Sequence, residues 1–339
     1  MRTNKDNIVK KGNRKKNNHE AKKKKIVQKI NCIIDTDPGV DDSAAVLLSF
    51  IDDLMDIKLI TTVSGNLDID SVTRNALHLV EKFGQKIPVA KGSEKPLVRN
   101  AKDAKFIHQH EGMGGYIPPK EVGIKEIEKD AVDAMYDTIC KYAGNICIIA
   151  LGPHTNLGRL ITKYPDVIGK ISHIYSEGCS PYGWKSEGRW KDYVSFNASS
   201  DPEALKIVVE SGIPMTMVPS RMGRELANFT EEDVIRMRDI NDVGRFLAEM
   251  YFGYWEHGYP DRRIATNDTC ACLIMRFPEL FKTKKVSFKV NVDDMPGRTD
   301  IIPDKHGHIN LVYKVNRKRM KRFYFQAIEK LGKFDFYKD

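Results

Sequence analysis

Apolar runs typical of buried strands alternate with amphipathic helical segments through most of this sequence. INCIIDTD, DIKLITTVSGN, NICIIALGP and IPMTMVPS predict strands, whereas DIDSVTRNALHLVEKFG, DAVDAMYDTICKYAG and DPEALKIVVESG have helical spacing. Strands that alternate with helices usually pack as a parallel sheet between two layers of helices. We therefore predict an α/β fold with an open, mostly parallel central sheet covered by helices on both faces.

The last third of the chain predicts a more mixed set of elements. A long amphipathic stretch runs from Glu231 to about Trp255, and a further helix opens near Asp268. VSFKVNV and INLVYKV predict a strand pair, and FYFQAIEKLG predicts the last helix. We expect residues 30–339 to form a single catalytic domain.

The basic character of the chain is concentrated in residues 1–29. This tail has a net charge of +10 within a chain total of +9, so residues 30–339 carry a net charge of −1. The tail has few apolar residues, which predicts disorder. It is either a solvated leader, or a contact for polyanions or for the nuclear import machinery. A near-neutral folded part without a basic stripe makes a nucleic-acid enzyme the weakest candidate.

The cysteine pattern and the lack of long apolar runs bear on where the protein works. No run approaches the ~20 apolar residues of a membrane span, and no secretory signal is recognisable. The six cysteines are scattered without a CxxC pair, which predicts reduced thiols. We expect an intracellular protein without a membrane partner, located in the cytoplasm, or in the nucleus if the tail is an import signal.

Four aspartates lie within eight residues directly after the first predicted strand. IIDTDPGVDD places Asp35, Asp37, Asp41 and Asp42 around a Pro-Gly turn. Carboxylates this close raise one another's pKa unless a cation compensates them. Oxygen ligands suit Ca²⁺ or Mg²⁺ better than zinc. The alternative is that Asp41 and Asp42 cap the following helix, which accounts for one or two acids but not for four.

Other polar segments also follow predicted strands. Gly65-Asn66 follows the second strand, and Leu151-Gly152-Pro153 follows NICIIAL. Parallel sheets bind their ligands at the carboxyl ends of the strands, so we expect these segments to meet the aspartates. The sequence has neither GxGxxG after a strand nor GxxxxGK[ST], so dinucleotide and P-loop sites are not predicted.

The segment DTDPGVDD resembles the signature of the nucleoside hydrolases, the calcium-dependent N-ribohydrolases of the inosine-uridine-preferring type. Other segments resemble that family in the same order, namely ITTVSGN with TRNAL, AKGSEKPLVR, IHQHEGMGG, ALGPHTNLGRL, FNASSDPEALKIV and NDTCA. The resemblance runs from about Ile30 to at least Leu280. It implies hydrolysis of the N-glycosidic bond of a purine or pyrimidine ribonucleoside, a Ca²⁺ cofactor, and a homo-oligomer, either a dimer or a tetramer.

The resemblance also implies a role for individual residues. Asp41 would be the general base for the attacking water, and Asp35 would support the turn. The implied calcium ligands are the carboxylates of Asp37, Asp42 and Asp268 and the backbone carbonyl of Leu151. The expected substrate-binding residues are Asn66, His108, Asn197, Arg189, Ser195, Trp255 and His257.

Two departures from the family concern the ribose 5′-hydroxyl. The family's Glu-Phe-Asn is Ser195-Phe196-Asn197 here, and an Asn six residues before that Glu falls on Arg189. A guanidinium group binds phosphate well, and the repulsion of the carboxylate is gone. We hypothesise a substrate that carries a 5′-phosphate or another anionic 5′ group. The alternative is that Arg189 faces solvent and the pocket has lost its 5′ contacts.

Further departures concern the leaving base and the pocket shape. The family's His before the last metal Asp is Asn267, Ser176-Glu177 replaces Met-Gly, and His110 replaces a loop Glu. We expect Trp255 to stack on the base. His257 is a candidate proton donor, or simply a polar residue at a helix end.

In this sequence the expected metal ligands match the family, whereas several expected substrate-binding positions differ. Two kinds of protein fit this combination. One is an active hydrolase with shifted specificity. The other is a non-catalytic nucleoside- or nucleotide-binding protein that keeps its metal. Binding a cation does not require Asp41, so the presence of Asp41 favours the enzyme.

Overall fold

The protein is described by a computed structural model that covers residues 29–50, 55–182, 194–257 and 262–333, with the backbone alone at 181, 182 and 257. Within these ranges the strands are β1 (Ile30–Thr36), β2 (Met55–Thr62), β3 (Val89–Ala90), β4 (Cys147–Ala150), β5 (His173–Cys179), β6 (Pro181–Tyr182), β7 (Met215–Pro219), β8 (Phe281–Val290), β9 (Thr299–Pro303) and β10 (Ile309–Val315). They form one sheet in the order β3-β2-β1-β4-β5-β7-β10-β8-β9-β6.

The sheet is mostly parallel, as predicted. Every neighbouring pair from β3 to β10 along this order is parallel, whereas β8 runs antiparallel to both β10 and β9. The α-helices of the described ranges are α1 (Val40–Ser49), α2 (Ile69–Lys82), α3 (Lys105–His108), α4 (Ala131–Lys141), α5 (Thr155–Lys163), α6 (Phe196–Ser200), α7 (Pro202–Glu210), α8 (Met222–Leu226), α9 (Glu231–Arg238), α10 (Asp242–His257), α11 (Asn267–Arg276) and α12 (Arg317–Leu331).

Helices cover both faces of the sheet, which confirms the predicted layers. Successive side chains of a strand point to opposite faces. Along β1, Cys32 and Ile34 join the core cluster that contains α1, α2, α10, α11 and α12, whereas Ile33 joins the cluster that contains α4, α5 and α7. In β4, Ile149 and Ile148 divide in the same way. The central strands are therefore buried on both sides, which explains their continuous apolar sequence.

The structure adds to or divides the predicted elements at several points in the chain. The stretch from Glu231 to Trp255 is two helices, α9 and α10. Asn241 lies between them, and its side chain accepts a hydrogen bond from the amide of Gly244 in the first turn of α10 (2.9 Å). Strands β8 and β10 pair as expected, and an unpredicted strand, β9, lies between them in the sequence and pairs with the other edge of β8. Helix α5 follows β4 directly and was not predicted as a helix, although it has an apolar face that begins at Leu157.

The strand order creates a crevice at the carboxyl edge of the sheet. From β1 the chain first builds outward to β2 and β3, then returns to place β4 on the other side of β1. Loops that follow β1 and β4 consequently diverge, and open α/β sheets bind ligands at such a point. Asp37 follows β1 and Leu151 follows β4, so both lie at this crevice.

Two further findings concern the helices and the cysteines. Among the described helices, none combines the length and the apolar composition that crossing a bilayer requires. All six cysteines are free thiols, as expected, and five of them are buried.

We expect the double-sided core to dominate stability. Ile149→Ala removes a fully buried side chain from β4 and should lower the free energy of unfolding by about 2–5 kcal/mol, since a cavity remains. The matched control is Ile302→Ala on the peripheral strand β9, where the side chain is 49% exposed and the cost should stay within about 0.5 kcal/mol. Chemical denaturation measures both values, and equal losses would contradict this account of the core.

Candidate active site

A cavity of about 330 Å³ opens at the carboxyl edge of the sheet, over the crevice between β1 and β4. Its described walls come from the N-terminus of α1, the loop after β2, helix α3, the ends of β4, β5 and β7, helices α6 and α10, and the N-terminus of α11. The size suits a small-molecule ligand. The N-termini of α1 and α11 carry partial positive charge, which favours acidic side chains at this edge.

Asp42 is fixed at the start of α1 by four donors. Its Oδ1 accepts hydrogen bonds from the Thr36 hydroxyl (2.7 Å) and the Asp37 amide (3.3 Å). Its Oδ2 accepts from the Gly39 amide (3.3 Å) and from Nδ2 of Asn66 (2.8 Å). The carboxylate therefore ties the β1–α1 turn to the loop after β2, and two backbone amides and two side chains fix its position.

Asp37 is enclosed between two glycines. Its Oδ2 accepts a hydrogen bond from the amide of Asn66 (2.7 Å), whereas Oδ1 is buried without a hydrogen-bond partner among the described residues. A Cβ atom at Gly65 would lie 2.1 Å from Oδ2, and one at Gly152 would lie 2.6 Å from Oδ1. Both positions therefore require glycine, because the backbone of two loops approaches the carboxylate directly.

Asp41, Asp42 and Asp268 bring their carboxylates together at the floor of the cavity. One oxygen from each lies within 4.8 Å of the other two. Burial, followed by the charge of Asp42, raises the pKa of Asp41 to about 7, although this side chain is partly exposed to the cavity. Burial and the neighbouring carboxylates also raise the pKa values of Asp37 and Asp268 well above their usual range.

These acids fit a bound metal ion. Buried like charges are costly unless a cation neutralises them, and the unpartnered Oδ1 of Asp37 is an acceptor without a donor. The three acids whose oxygens lie within 4.8 Å of one another include Asp41, although the resemblance assigns Asp41 as the general base and not as a ligand. Asp37 stands just outside that group and is linked to Asp42 through its own amide and through Asn66. The donor set is oxygen only, which suits a hard divalent cation.

Asn197 connects the ends of β4 and β5 at the cavity wall. Its Nδ2 donates to the carbonyl oxygen of Leu151 (2.5 Å) and to Oε2 of Glu177 (2.8 Å). Leu151 lies in the cavity wall together with Asn66, and the role of its carbonyl as a metal ligand stays a prediction. Ser195, two residues before Asn197, caps helix α6 and also lines the cavity.

Glu177 is an acid of the cavity that sequence reasoning did not select. Its side chain is 4% exposed and lines the cavity at the end of β5. Burial raises its pKa to about 8, against the lowering effect of a hydrogen bond with Ser220, and the charge of Asp41 raises it further. The sequence signal was present, since Ser176-Glu177 departs from the family, but the direction of the side chain was not readable.

His108 is a neutral imidazole with a defined tautomer. Its Nδ1 accepts a hydrogen bond from the amide of Val40 at the start of α1 (3.1 Å), so the ring proton belongs on Nε2. Burial lowers the pKa of His108 to about 4, which keeps the ring uncharged at neutral pH. The ring lines the cavity, so His108 can serve a ligand as a hydrogen-bond donor.

Helix α10 places Tyr254, not Trp255, in the cavity wall. Tyr254 lines the cavity beside His108, and the ring centroids of the two are 5.6 Å apart. Trp255 is buried in the core against Phe252, and its side chain is not among the cavity walls. The expectation that Trp255 stacks on the base is thus not supported, because the neighbouring residue has the required direction.

Two predicted residues and one replaced position complete the comparison with the sequence. Arg189 and the side chain of His257 lie outside the described residues, so their roles stay predictions. Asn267 lines the cavity and accepts a hydrogen bond from the amide of Gly223 through Oδ1 (2.8 Å). Its amide nitrogen is thereby left as the end that can reach a ligand.

Asp35 is anchored beneath the site by contacts to β2 and α5, and its support of the turn stays a prediction. Its Oδ1 accepts hydrogen bonds from the Thr61 hydroxyl (2.6 Å) and from Nδ2 of Asn156 (2.8 Å), and burial raises its pKa to about 6. Asn156 also donates to the carbonyl of Thr62 (2.9 Å). The side chains of Asp35 and Asn156 therefore join β1, β2 and α5 beneath the site.

The chain matches the family model described as inosine-uridine preferring nucleoside hydrolase over residues 32–322. It is 32% identical over 252 residues to the non-specific ribonucleoside hydrolase RihC of Klebsiella pneumoniae subsp. pneumoniae, which covers 74% of this chain and 80% of that protein. RihC of Salmonella paratyphi B is 31% identical over the same shares.

Solved structures give the same result. The chain superposes on a purine-preferring ribonucleoside hydrolase from Gardnerella vaginalis with a TM-score of 0.82 and 26% identity, over 89% of this chain and 99% of that one. A plant nucleoside hydrolase, PpNRh1, gives a TM-score of 0.81 and 25% identity over 88% and 99%. The fold and the cavity define an α/β protein with a ligand site at the carboxyl edge of its sheet, where acids that fit a metal ion converge. The chain belongs to the inosine-uridine preferring nucleoside hydrolase family, which confirms a hydrolase that acts on N-glycosyl compounds.

Gly152→Ala should weaken cation binding, because its Cβ would displace the Asp37 carboxylate. Supporting residues of metal sites typically change affinity by about 10- to 100-fold, and we expect a loss of that size. Gly169→Ala is the matched control, since that exposed position has no atom within 4 Å of the added Cβ. Calorimetric titration with Ca²⁺ measures both affinities, and an unchanged value for Gly152→Ala would show that Asp37 does not support the ion.

The raised pKa values predict how pH acts on the cation-free protein. Carboxyls in the unfolded chain titrate near pH 4, whereas Asp41 and Glu177 have pKa values of about 7 and about 8 in the folded state. Their contribution to stability is therefore complete below pH 4 and is lost as pH rises toward 8. Because a cation replaces the protons, the rise in Tm that Ca²⁺ gives over chelator should grow from pH 5 to pH 8.

Thermal melting in calcium and in chelator across this pH range measures the effect. Asp268→Asn is the control, since it removes one carboxylate of the three-acid group and should reduce the calcium-dependent rise in Tm at every pH. A calcium effect that shrinks with rising pH would contradict the assignment of these acids to a cation site.

Proposed function

We propose that this protein is a calcium-dependent ribonucleoside hydrolase that breaks the N-glycosidic bond of a purine or pyrimidine ribonucleoside and releases the base and ribose. The observation that carries the proposal is the Asp41 carboxylate, which faces the cavity beside Asp42 and Asp268. Relatives named as non-specific and as purine-preferring ribonucleoside hydrolases support this substrate class. The proposal includes a homo-oligomer that works in the cytoplasm.

The residues that would hold Ca²⁺ are Asp37, Asp42, Asp268 and the carbonyl of Leu151. Asp42 is the best fixed of them, since four donors set its position. Asp37 contributes the buried oxygen that lacks a donor. When bound, the ion supplies positive charge that acidifies water and orients sugar hydroxyl oxygens.

Asp41 would take the proton of the attacking water. A general base has to reach both the water and the cavity, and Asp41 is the partly exposed member of the three-acid group. Asp42 is occupied by donors from Thr36, Gly39 and Asn66, so its oxygens are committed to structure and to the ion. The two neighbouring aspartates of α1 thus have different tasks.

The sugar and the departing base would be bound by neutral donors. Nε2 of His108 carries a hydrogen toward the site, and Tyr254 offers an aromatic face at the cavity wall. Both hydrogens of the Asn197 amide are used by Leu151 and Glu177, so Asn197 would position these two groups around the sugar. Bases stack well on such rings. Asn267 would donate to the base in place of the missing histidine, and His257 remains the predicted proton donor.

The 5′ end of the substrate separates two versions of the proposal. Arg189 suggests an anionic 5′ group, but this residue lies outside the described ranges. Among the described residues that line the cavity there is no lysine or arginine, whereas there are four acids, Asp41, Asp42, Glu177 and Asp268. The described walls therefore support a neutral ribonucleoside over its 5′-monophosphate.

The experiment that tests the function is release of ribose or ribose 5-phosphate from purine and pyrimidine nucleosides and their 5′-monophosphates, with calcium and with chelator. Asp41→Asn should reduce kcat by about 10²- to 10⁴-fold, the usual contribution of a general base. It should leave most of the calcium-dependent rise in Tm, whereas Asp268→Asn should lose both activity and that rise.

Asp70→Asn serves as the control, because this exposed aspartate lies on α2 away from the cavity and should keep full activity. If Asp41→Asn also loses the calcium effect, Asp41 is a metal ligand and the base lies elsewhere. If the wild type binds calcium and nucleosides but releases no sugar from any of them, the protein is a binding protein and the hydrolase proposal fails.

A further inference from the structure

Strand β5 ends in a bulge that turns Glu177 toward the cavity. The register between β5 and β7 shifts between Glu177 and Cys179. Gly178, inside the bulge, has φ = +106°, and a Cβ there would lie 2.7 Å from Cβ of Asn197. Bulges next to ligand sites re-aim a side chain, and only glycine suits this backbone at this distance. The bulge and Gly178 together therefore fix the direction of the Glu177 side chain.

The carboxyl of Glu177 has acceptor capacity that the protein does not use up. Oε2 accepts a hydrogen bond from Nδ2 of Asn197 (2.8 Å), and the Ser220 hydroxyl also hydrogen-bonds to the carboxyl. An ionised carboxylate has about four acceptor sites. Glu177 lines the cavity while only 4% of its surface is exposed, so a ligand is the partner that can reach the remaining sites.

Glu177 lies between the Leu151 carbonyl, one of the expected metal ligands, and Ser195 at the start of α6. Through Asn197 it is linked to the Leu151 carbonyl, which is expected to hold the ion. On the other side the Ser220 hydroxyl lies 2.7 Å from that of Ser195. A sugar held at the ion would consequently extend past Glu177 toward Ser195.

We propose that Glu177 is a specificity-determining residue, which accepts a hydrogen bond from one hydroxyl of the substrate's sugar and rejects substrates that carry an anionic group at that position. The inference rests on the proposed hydrolase function. In its ionised form, which a bound cation favours, the carboxyl of Glu177 is an acceptor-only group that suits a hydroxyl donor and repels a phosphate. This assignment opposes the anionic 5′ group that Arg189 suggested, and it makes the two residues competing predictors of substrate charge.

The test compares Glu177→Gln and Glu177→Ala with wild type on one ribonucleoside that the wild type hydrolyses, on its 2′-, 3′- and 5′-deoxy analogues, and on its 5′-monophosphate. Glu210→Gln is the matched control, since this glutamate lies at the exposed end of α7 outside the cavity. Thermal melting checks that each variant is folded. Calorimetric binding of ribose to each Glu177 variant in an Asp41→Asn background gives a readout that does not depend on turnover.

We expect Glu177→Ala to lower kcat/KM for the ribonucleoside by about 10- to 100-fold, the range for a hydrogen bond to a charged group. The loss should disappear on the one deoxy analogue that lacks the hydroxyl bound by Glu177, and it should persist on the other two. Ribose binding should weaken in parallel. Glu177→Gln should raise the activity on the monophosphate relative to the nucleoside, because it removes the charge and keeps the shape.

Three outcomes would overturn the assignment. An equal loss on all three deoxy analogues would give Glu177 a purely structural role. Unchanged kinetics and ribose binding in both variants would show that the carboxylate does not touch the substrate. A wild type that prefers the monophosphate would assign the 5′ end to Arg189. Failure of the hydrolase proposal is distinguishable, because the wild type itself would then release no sugar from any nucleoside.

Discussion

Five carboxyl groups buried at one edge of a sheet are the constraint on which the rest of this structure depends. Asp37, Asp41, Asp42, Glu177 and Asp268 converge from three separate segments, and burial raises the pKa values of Asp37, Asp41, Glu177 and Asp268. Such a cluster is tolerable only with compensating charge and donors. Helix N-termini, backbone amides and side-chain amides supply part of this compensation, and a bound cation would supply the remainder. The glycines around Asp37 follow from the same need, because donors and carbonyls must approach closely.

Much of the fold could be predicted from the sequence because the central strands are buried on both faces. Their continuous apolar runs leave little choice of element, and the rule for parallel sheets then places Asp37, Asn66 and Leu151 at one edge. The peripheral elements were less readable. Strand β9 is half exposed and lacks a strong pattern. The break between α9 and α10 depends on one local hydrogen bond from Gly244 to Asn241, which periodicity alone does not reveal.

The site residues also differ in how well the sequence predicts them. Residues whose place depends on a turn of the backbone are predictable, whereas residues whose role depends on the direction of a side chain are not. The aspartates of the β1–α1 turn could be placed because the turn itself fixes them. Helix α10 carries Tyr251, Phe252, Tyr254 and Trp255, so it is apolar around most of its circumference and its sequence does not define a cavity face. Adjacent helical residues point about 100° apart, which puts Tyr254 at the cavity and Trp255 in the core. The direction of Glu177 depends on a bulge, which the sequence does not define either.

The electrostatics of the cavity link the metal to the choice of substrate. Its described walls combine four acids with a histidine that burial keeps neutral. A bound cation would therefore supply the positive charge that compensates these acids. That charge is matched by the aspartates at the floor, which leaves no excess for a phosphate. Glu177 adds a further negative charge at some remove from the floor, on the side of Ser195. A ligand that supplies hydroxyl donors to both the cation end and the Glu177 end satisfies the whole cavity, and a neutral ribose is such a ligand.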